Sequence, residues 1–307
     1  MKTPAAAALI VALAGSILSA TAQTTNNEMP SVVEPGAKVE KLAGDFAFTE
    51  GPTCDAHGNV FFTDQPNDRI LEWSTDGKLS TFKHPAGRAN GMYFDAKGNL
   101  IACADEKTAL WSIAPDGKET VILDSFEGKK LCGPNDVWVA PNGSMYLTDP
   151  FYAREWWDYN TQPQDVQAVY YLSPDRKTFK RVITDYQKPN GIIGTPDGKT
   201  LFVADIQARK TYGYDIQADG SLTNKRLAAN AGSDGMTIDD QGNLYLTNDR
   251  RGVRVFDKTA KELGLIPVPE MPANVSFGGK DHKTLFICAR KGFYSVRIRY
   301  PGANPAK

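Results

Sequence analysis

One pattern recurs six times along the chain: a Gly-bearing turn, a short apolar strand, then often an acidic residue. It appears as DAHGNVFFTD from Asp55, DAKGNLIACAD from Asp95, APNGSMYLTD from Ala140 and TPDGKTLFVAD from Thr195. It returns as DDQGNLYLTN from Asp239 and, more loosely, as GKDHKTLFICA from Gly279. Successive starts lie 40, 45, 55, 44 and 40 residues apart. A period of about 45 residues with about four short strands per unit is the signature of a β-propeller blade. A lone blade cannot cover its two apolar faces, so the units must stack in a closed set. The expected fold is all-β: a six-bladed β-propeller of four-stranded antiparallel blades over residues 38–300, with helices nearly absent.

The turns lay out each unit. In the first, Pro52–Cys54 begins strand A, Asn59–Asp64 is strand B, Arg69–Ser74 strand C and Leu79–Lys83 strand D. The sixth unit ends after its third strand, Phe293–Arg299, while Val39-Glu40-Lys41-Leu42 ahead of the first unit is a spare strand. That N-terminal strand is expected to complete the last blade and close the ring, removing an open sheet edge.

The ends of the chain read differently. Met1 to Ala22 carry one early cation, Lys2, an apolar stretch from Ala5 to Leu18, and Ala20-Thr21-Ala22. This is the pattern of a secretory signal peptide, cleaved after Ala22, and it implies a periplasmic or secreted protein. Residues 23–37 read as a flexible lead-in and 301–307 as a tail. No later apolar run is long enough to cross a membrane. Thirty-five basic residues balance 36 acidic ones, a net charge of −1, which offers no cationic surface for nucleic acid. Cys54, Cys103, Cys132 and Cys288 show no C-x-x-C spacing, which argues against a thiolate zinc site. They read as small buried apolar side chains rather than as disulfides.

Five positions before each repeat start stands an acceptor-bearing side chain: Glu50, Asn90, Asn135, Asn190, Asp234 and Asn274. Turn capping explains one or two such residues, but not six in register. In the layout above they lie where strand A begins, next to the propeller axis, so six oxygen-bearing groups converge on one mouth of the channel. If Glu50 and Asp234 face each other across about 5 Å, they repel by about 3 kcal/mol at an effective dielectric of about 20. One divalent cation reverses that penalty. Two carboxylates with neutral amides form a hard-oxygen set suited to Ca2+ or Mg2+ and completed by water. With three histidines in the chain, two of them (His57 and His282) in turns at the opposite end, a His-built zinc site is not expected. His84 precedes Asn90 in a loop and reads as a solvated side chain.

These same residues carry a resemblance. FTEGP (48–52), GRANG (87–91), GPNDVWV (133–139), YLTDP (146–150), KPNG (188–191), SDGMTID (233–239) and ANVSFGG (273–279) form an ordered set. Together they resemble the gluconolactonase family, which includes regucalcin-like lactonases and, more distantly, diisopropyl fluorophosphatase. The resemblance covers about residues 45–290 and implies a six-bladed propeller that hydrolyses a small-molecule lactone with one divalent cation. Ca2+ stands first, with Mg2+, Mn2+ or Zn2+ as alternatives. It further implies Glu50, Asn190 and Asp234 as metal ligands, Asn135 as ligand or substrate contact, and Asp234 as the catalytic base. Gly133 departs from the regucalcin branch, which carries Arg at that place.

The expected chemistry is lactone opening, with the carbonyl polarised by the cation and water activated by a carboxylate. A carboxylate bound to a dication is a weakened base, so Asp234 serves as base or as nucleophile. Asp136 and Asp149 are alternative bases or braces for the backbone. Arg88, Asn90, Asn135, Asp136 and Asn274 are the candidate substrate contacts. The long loop from Pro150 to Asp165 holds Phe151, Tyr152, Arg154, Trp156, Trp157 and Tyr159, and forms a lid, one wall of the pocket or a self-packed surface loop. A phosphotriesterase using the same cation and a non-catalytic ligand-binding propeller are the rival functions. No G-x-S-x-G motif is present, which disfavours a serine hydrolase.

Overall fold

The structure, a computed structural model, describes Met1 and residues 29–303, so the leader at 1–22 lies outside the described residues. Six four-stranded antiparallel sheets follow one another along the chain, as the repeat period requires. Blade 1 runs from its inner strand Thr49–Cys54 through Val60–Asp64 and Arg69–Trp73 to Leu79–Lys83. Blades 2 to 5 begin with the inner strands Ala89–Phe94, Asp136–Val139, Pro189–Gly194 and Met236–Ile238. Inner strands such as Thr49–Cys54 and Pro189–Gly194 are buried at every residue, whereas the outer strands Leu79–Lys83 and Leu222–Ala229 meet solvent. Among the described residues helical structure is limited to two short 3-10 turns, Gln65–Asn67 and Asp105–Lys107.

Blade 6 closes as the spare strand predicts. Glu40–Ala43 pairs antiparallel with Gly292–Arg297, outside Thr284–Ala289 and the inner strand Pro272–Gly278. The seam between the last blade and the first is also packed. Phe62 and Phe293 are fully buried and stack with ring centres 4.1 Å apart. Burial of each such ring contributes about 1.5–3 kcal/mol. Thr49 Oγ1 donates to the Gly292 carbonyl across the same seam at 3.1 Å.

Two terminal segments do more than the sequence suggested. Within the stretch read as a lead-in, Val32 and Val33 are buried against blades 5 and 6, and Val33 bridges to Ile298. From Met29 on, therefore, the lead-in is packed onto the ring. At the other terminus Ala303 donates its N–H to the Ile238 carbonyl at 3.0 Å, and Gly302 to that of His282 at 2.8 Å. Gly302 and Ala303 thus lie at the A–B turn end of the channel, where they help line a cavity of about 30 Å³. All four cysteines are free and buried, in keeping with their reading as small core side chains.

Candidate metal centre and its lid

Each inner strand touches the next around the ring, which brings the six acceptors to the same end. Glu50, Asn90, Asn190 and Asn274 fall within their strands, and Asn135 and Asp234 just ahead of theirs. The blade 1 strand thus starts at Thr49, earlier than the Pro52 expected from its turns. In four blades the ladder changes register at or beside the acceptor: Glu50/Thr53, Ala89/Met92, Pro189/Ile192 and Pro272/Asn274. Such irregularities release a residue from strict pairing and re-aim its side chain.

Close approach of the blades depends on the residue after the acceptor. A Cβ added at Gly51 would lie 1.9 Å from the Asn90 carbonyl oxygen, and one at Gly235 would lie 1.8 Å from Asn274 Cγ. Gly91 and Gly191 are equally confined, by Asn135 with Asp136 and by Asp234. In blades 3 and 6 this place is taken by Asp136 and Val275. The acceptor–glycine pair is plain in the sequence, and it would have identified the inter-blade contacts without coordinates.

At the mouth the side chains bind one another. Asn190 Nδ2 donates to Asp234 Oδ1 at 2.9 Å and to the Tyr152 hydroxyl at 3.0 Å. Asn274 Nδ2 donates to Glu50 Oε2 at 3.0 Å, and the Gly51 N–H donates to the same oxygen at 2.7 Å. Asn274, expected at the substrate, is therefore committed to Glu50, while its Oδ1 accepts from Val275 N–H at 2.8 Å. The side chains of Asn90 and Asn135 make no hydrogen bond among the described residues, which leaves their amides available to a ligand.

Burial and mutual repulsion dominate the electrostatics. Burial raises the Glu50 carboxyl well above its usual range, and nearby Asp234 pushes it further. Burial carries Asp234 to about 6 against the pull of Asn190, Arg154 and Arg290. Asp136, also buried, reaches about 8 and so holds its proton near neutral pH. Its Oδ1 accepts from Val137 N–H at 3.0 Å, and it lines a small axial cavity with Asn274. The other alternative base is a brace: Asp149 accepts from Cys132 N–H at 2.9 Å and Gly133 N–H at 2.8 Å. Asp64 and Asp205 grip the corresponding loops of their own blades in the same way.

A hard divalent cation fits this donor set. Asn190 is 1% exposed, its amide nitrogen is satisfied twice, and its Oδ1 is buried without a hydrogen-bond partner. A buried acceptor left alone costs about 1–3 kcal/mol unless something else satisfies it. Among the described residues no group of three or more His, Cys, Asp or Glu is set to hold a metal. The donors here are instead two carboxylates, Glu50 and Asp234, with the amide oxygens of Asn190 and Asn135.

The aromatic loop is self-packed and also touches the site. It packs on itself, with Trp157 stacked on Tyr159 at 5.1 Å, yet Tyr152 reaches Asn190. Blade 2 anchors it through Asp105, which is buried. Arg154 Nε lies 3.0 Å from Asp105 Oδ2, Trp156 Nε1 donates to that oxygen at 3.2 Å, and Trp157 Nε1 donates to the Asp105 carbonyl at 2.9 Å. Gly133 leaves the space that Trp157 fills, since a Cβ there would stand 2.7 Å from Cη2 of that ring. Arg88, expected at the substrate, lies 4.7 Å over the Trp156 ring and donates from Nη1 to the Pro66 carbonyl, so it props the lid. His84 lines a shallow surface depression with Asn67, Arg69 and Thr81.

Known proteins are similar to this chain in sequence and, where solved, in fold. The gluconolactonase of Zymomonas mobilis subsp. mobilis is 28% identical over 306 residues, covering 88% of this chain and 84% of that protein. Diisopropyl-fluorophosphatase of Loligo vulgaris is 27% identical over 288 residues, covering 85% and 90%. A solved gluconolactonase from Xanthomonas campestris superposes with a TM-score of 0.81 at 26% identity, covering 87% and 91%. Residues 48–291, which hold all six acceptors, match the SMP-30/Gluconolactonase/LRE-like region, and the chain belongs to that family.

Proposed function

We propose that this protein is a metal-dependent lactonase that opens a sugar lactone. The observation that carries the reading is Asn190 Oδ1, buried without a hydrogen-bond partner beside two buried carboxylates that repel each other. Glu50, Asn190 and Asp234 would hold the ion, with Asn135 as a further ligand or as a substrate contact. A bound divalent cation supplies Lewis-acid polarisation of the ester carbonyl and offsets the charge of both carboxylates. Asn190 fixes Asp234 Oδ1, and Tyr152 in turn fixes Asn190, so the carboxylate is oriented. Asp234 takes a proton from water as the water oxygen adds to the carbonyl carbon. The ring C–O bond then breaks, and the departing ring oxygen receives the proton, leaving an open hydroxy acid. The lid excludes bulk water from this exchange.

Similarity to the Zymomonas mobilis and Xanthomonas campestris gluconolactonases supports the substrate class. Similarity to the Loligo vulgaris diisopropyl-fluorophosphatase supports a second reading, attack on a phosphorus ester at the same centre. The pattern at 1–22 supports export, and hence action in the periplasm or outside the cell. A metal-titrated screen of aldonolactones alongside a phosphofluoridate separates the readings. Hydrolysis of the lactones that EDTA abolishes and Ca2+ restores is the expected result. A variant carrying Glu50→Gln and Asp234→Asn should be inactive. Full activity in that variant would contradict the mechanism, and turnover of the phosphofluoridate alone would favour the second reading.

A further inference from the structure

Four cationic side chains gather around the lid and mouth, and among the described residues Arg154 alone of them forms a close ion pair. Arg154 and Arg290 also act on Asp234 at longer range, and Arg88 on Asp105. Arg154 pairs through Nε with Asp105, and among the described residues its two Nη groups have no hydrogen-bond acceptor. Its guanidinium lies 5.6 Å from the Tyr152 ring and 5.4 Å from the Trp156 ring. Lys188 Nζ lies 4.2 Å from the centre of the Tyr152 ring and forms no ion pair among the described residues. Arg290 rests over the Phe48 ring at 5.6 Å with a sulfur contact to Met271, and Arg88 covers Trp156. Tyr152 ties this group to the centre, because its hydroxyl meets the Asn190 amide that also holds Asp234.

This local excess stands out in a chain whose net charge is −1. Asp234 is the carboxylate on which Arg154 and Arg290 act, and a divalent ion held there would take it from them. Once a divalent ion offsets Glu50 and Asp234, the charge left at the mouth is positive. A guanidinium whose Nε is held by a buried carboxylate, with two aromatic rings near it, is preorganised to present its free N–H groups to an anion. We propose that the substrate is an anionic lactone, bearing a carboxylate or phosphate away from the reacting ester, and that Arg154, with Lys188 beside it, binds that group. The inference rests on the lactonase reading above and names its substrate class.

The test uses ligands that are not lactones, so that its outcome is independent of turnover. The full-length Ca2+-loaded protein is titrated calorimetrically with D-glucuronate, D-glucose 6-phosphate and D-glucose, which share one sugar ring. At least one anion should bind about tenfold more tightly than glucose, with a preference that weakens as salt rises. The tighter of the two anions identifies the carboxylate or the phosphate as the recognised group. Arg154→Gln should erase the preference, Arg154→Lys should keep part of it, and Lys188→Gln should reduce it without touching the Asp105 pair. Thermal melts of each variant establish that it is folded. Glucose binding as tightly as both anions, or an undiminished preference in folded Arg154→Gln, would overturn the inference. A failure of lactone hydrolysis in the separate screen would instead overturn the proposed activity.

Discussion

Asn190 donates to Asp234 across the boundary between blades 4 and 5 at 2.9 Å, and in doing so leaves its own Oδ1 buried and unpaired. Residues far apart in the chain thereby share one hydrogen bond and create one vacant acceptor. A related hydrogen bond joins blades 6 and 1, where Asn274 holds Glu50 at 3.0 Å while its own Oδ1 accepts from Val275 N–H. Each amide fixes a carboxylate whose ionisation burial disfavours, and the pair of carboxylates then favours a bound dication.

Gly235→Ala tests the packing that brings these groups together. The added methyl would overlap Asn274 Cγ at 1.8 Å, displace that amide and free Glu50. Overpacking of this kind costs about 1–3 kcal/mol. We expect a lower melting temperature and a larger loss of Ca2+ affinity than the fall in stability explains. Calorimetric Ca2+ titration with a thermal melt measures both, and wild-type affinity in the variant would contradict the close approach.

Closure of the ring is tested by deleting residues 38–43. Glu40–Ala43 is the outer strand of blade 6, and its loss exposes the edge of Gly292–Arg297. The deletion should lower the melting temperature sharply and promote self-association, as read by scanning calorimetry and light scattering. An unchanged melt would refute the role of this strand.

Buried Asp105 should make stability depend on pH. Burial raises the Asp105 carboxyl from 3.8 to about 6, despite the opposing pull of Arg154 and the Trp156 indole. Because the folded value exceeds the unfolded one, the native state keeps this proton longer. Its contribution to global stability is therefore full below about 4 and is lost as pH rises through about 6. As pH rises through about 6, the melting temperature should fall by the part that Asp105 contributes. Asp105→Asn should flatten that profile, and an identical profile in the variant would assign the change to another group.

The repeats made the ring readable before any coordinates, because a blade imposes the same spacing of turns, strands and axial residues six times. Glu50, Asn90, Asn135, Asn190, Asp234 and Asn274 follow from that spacing, as does the strand at Glu40–Ala43. The lid does not repeat, so no periodic signal could pair Asp105 with Arg154 or set Arg88 over Trp156. Asn274 shows a subtler limit: its register puts it at the mouth, but its hydrogen bond to Glu50 depends on rotamers that spacing does not encode. Burial of Val32 and Val33 was equally hidden, since two apolar residues in a polar segment carry no period of their own.

Diffraction from a crystal of the protein soaked in Ca2+ is the most direct measurement. One ion per chain is expected at the channel mouth, bound by oxygens of Glu50, Asn190 and Asp234 at distances of about 2.3–2.6 Å. A mouth without density at saturating Ca2+, or an ion held by other residues while Asn190 Oδ1 stays unpaired, would contradict the central claim.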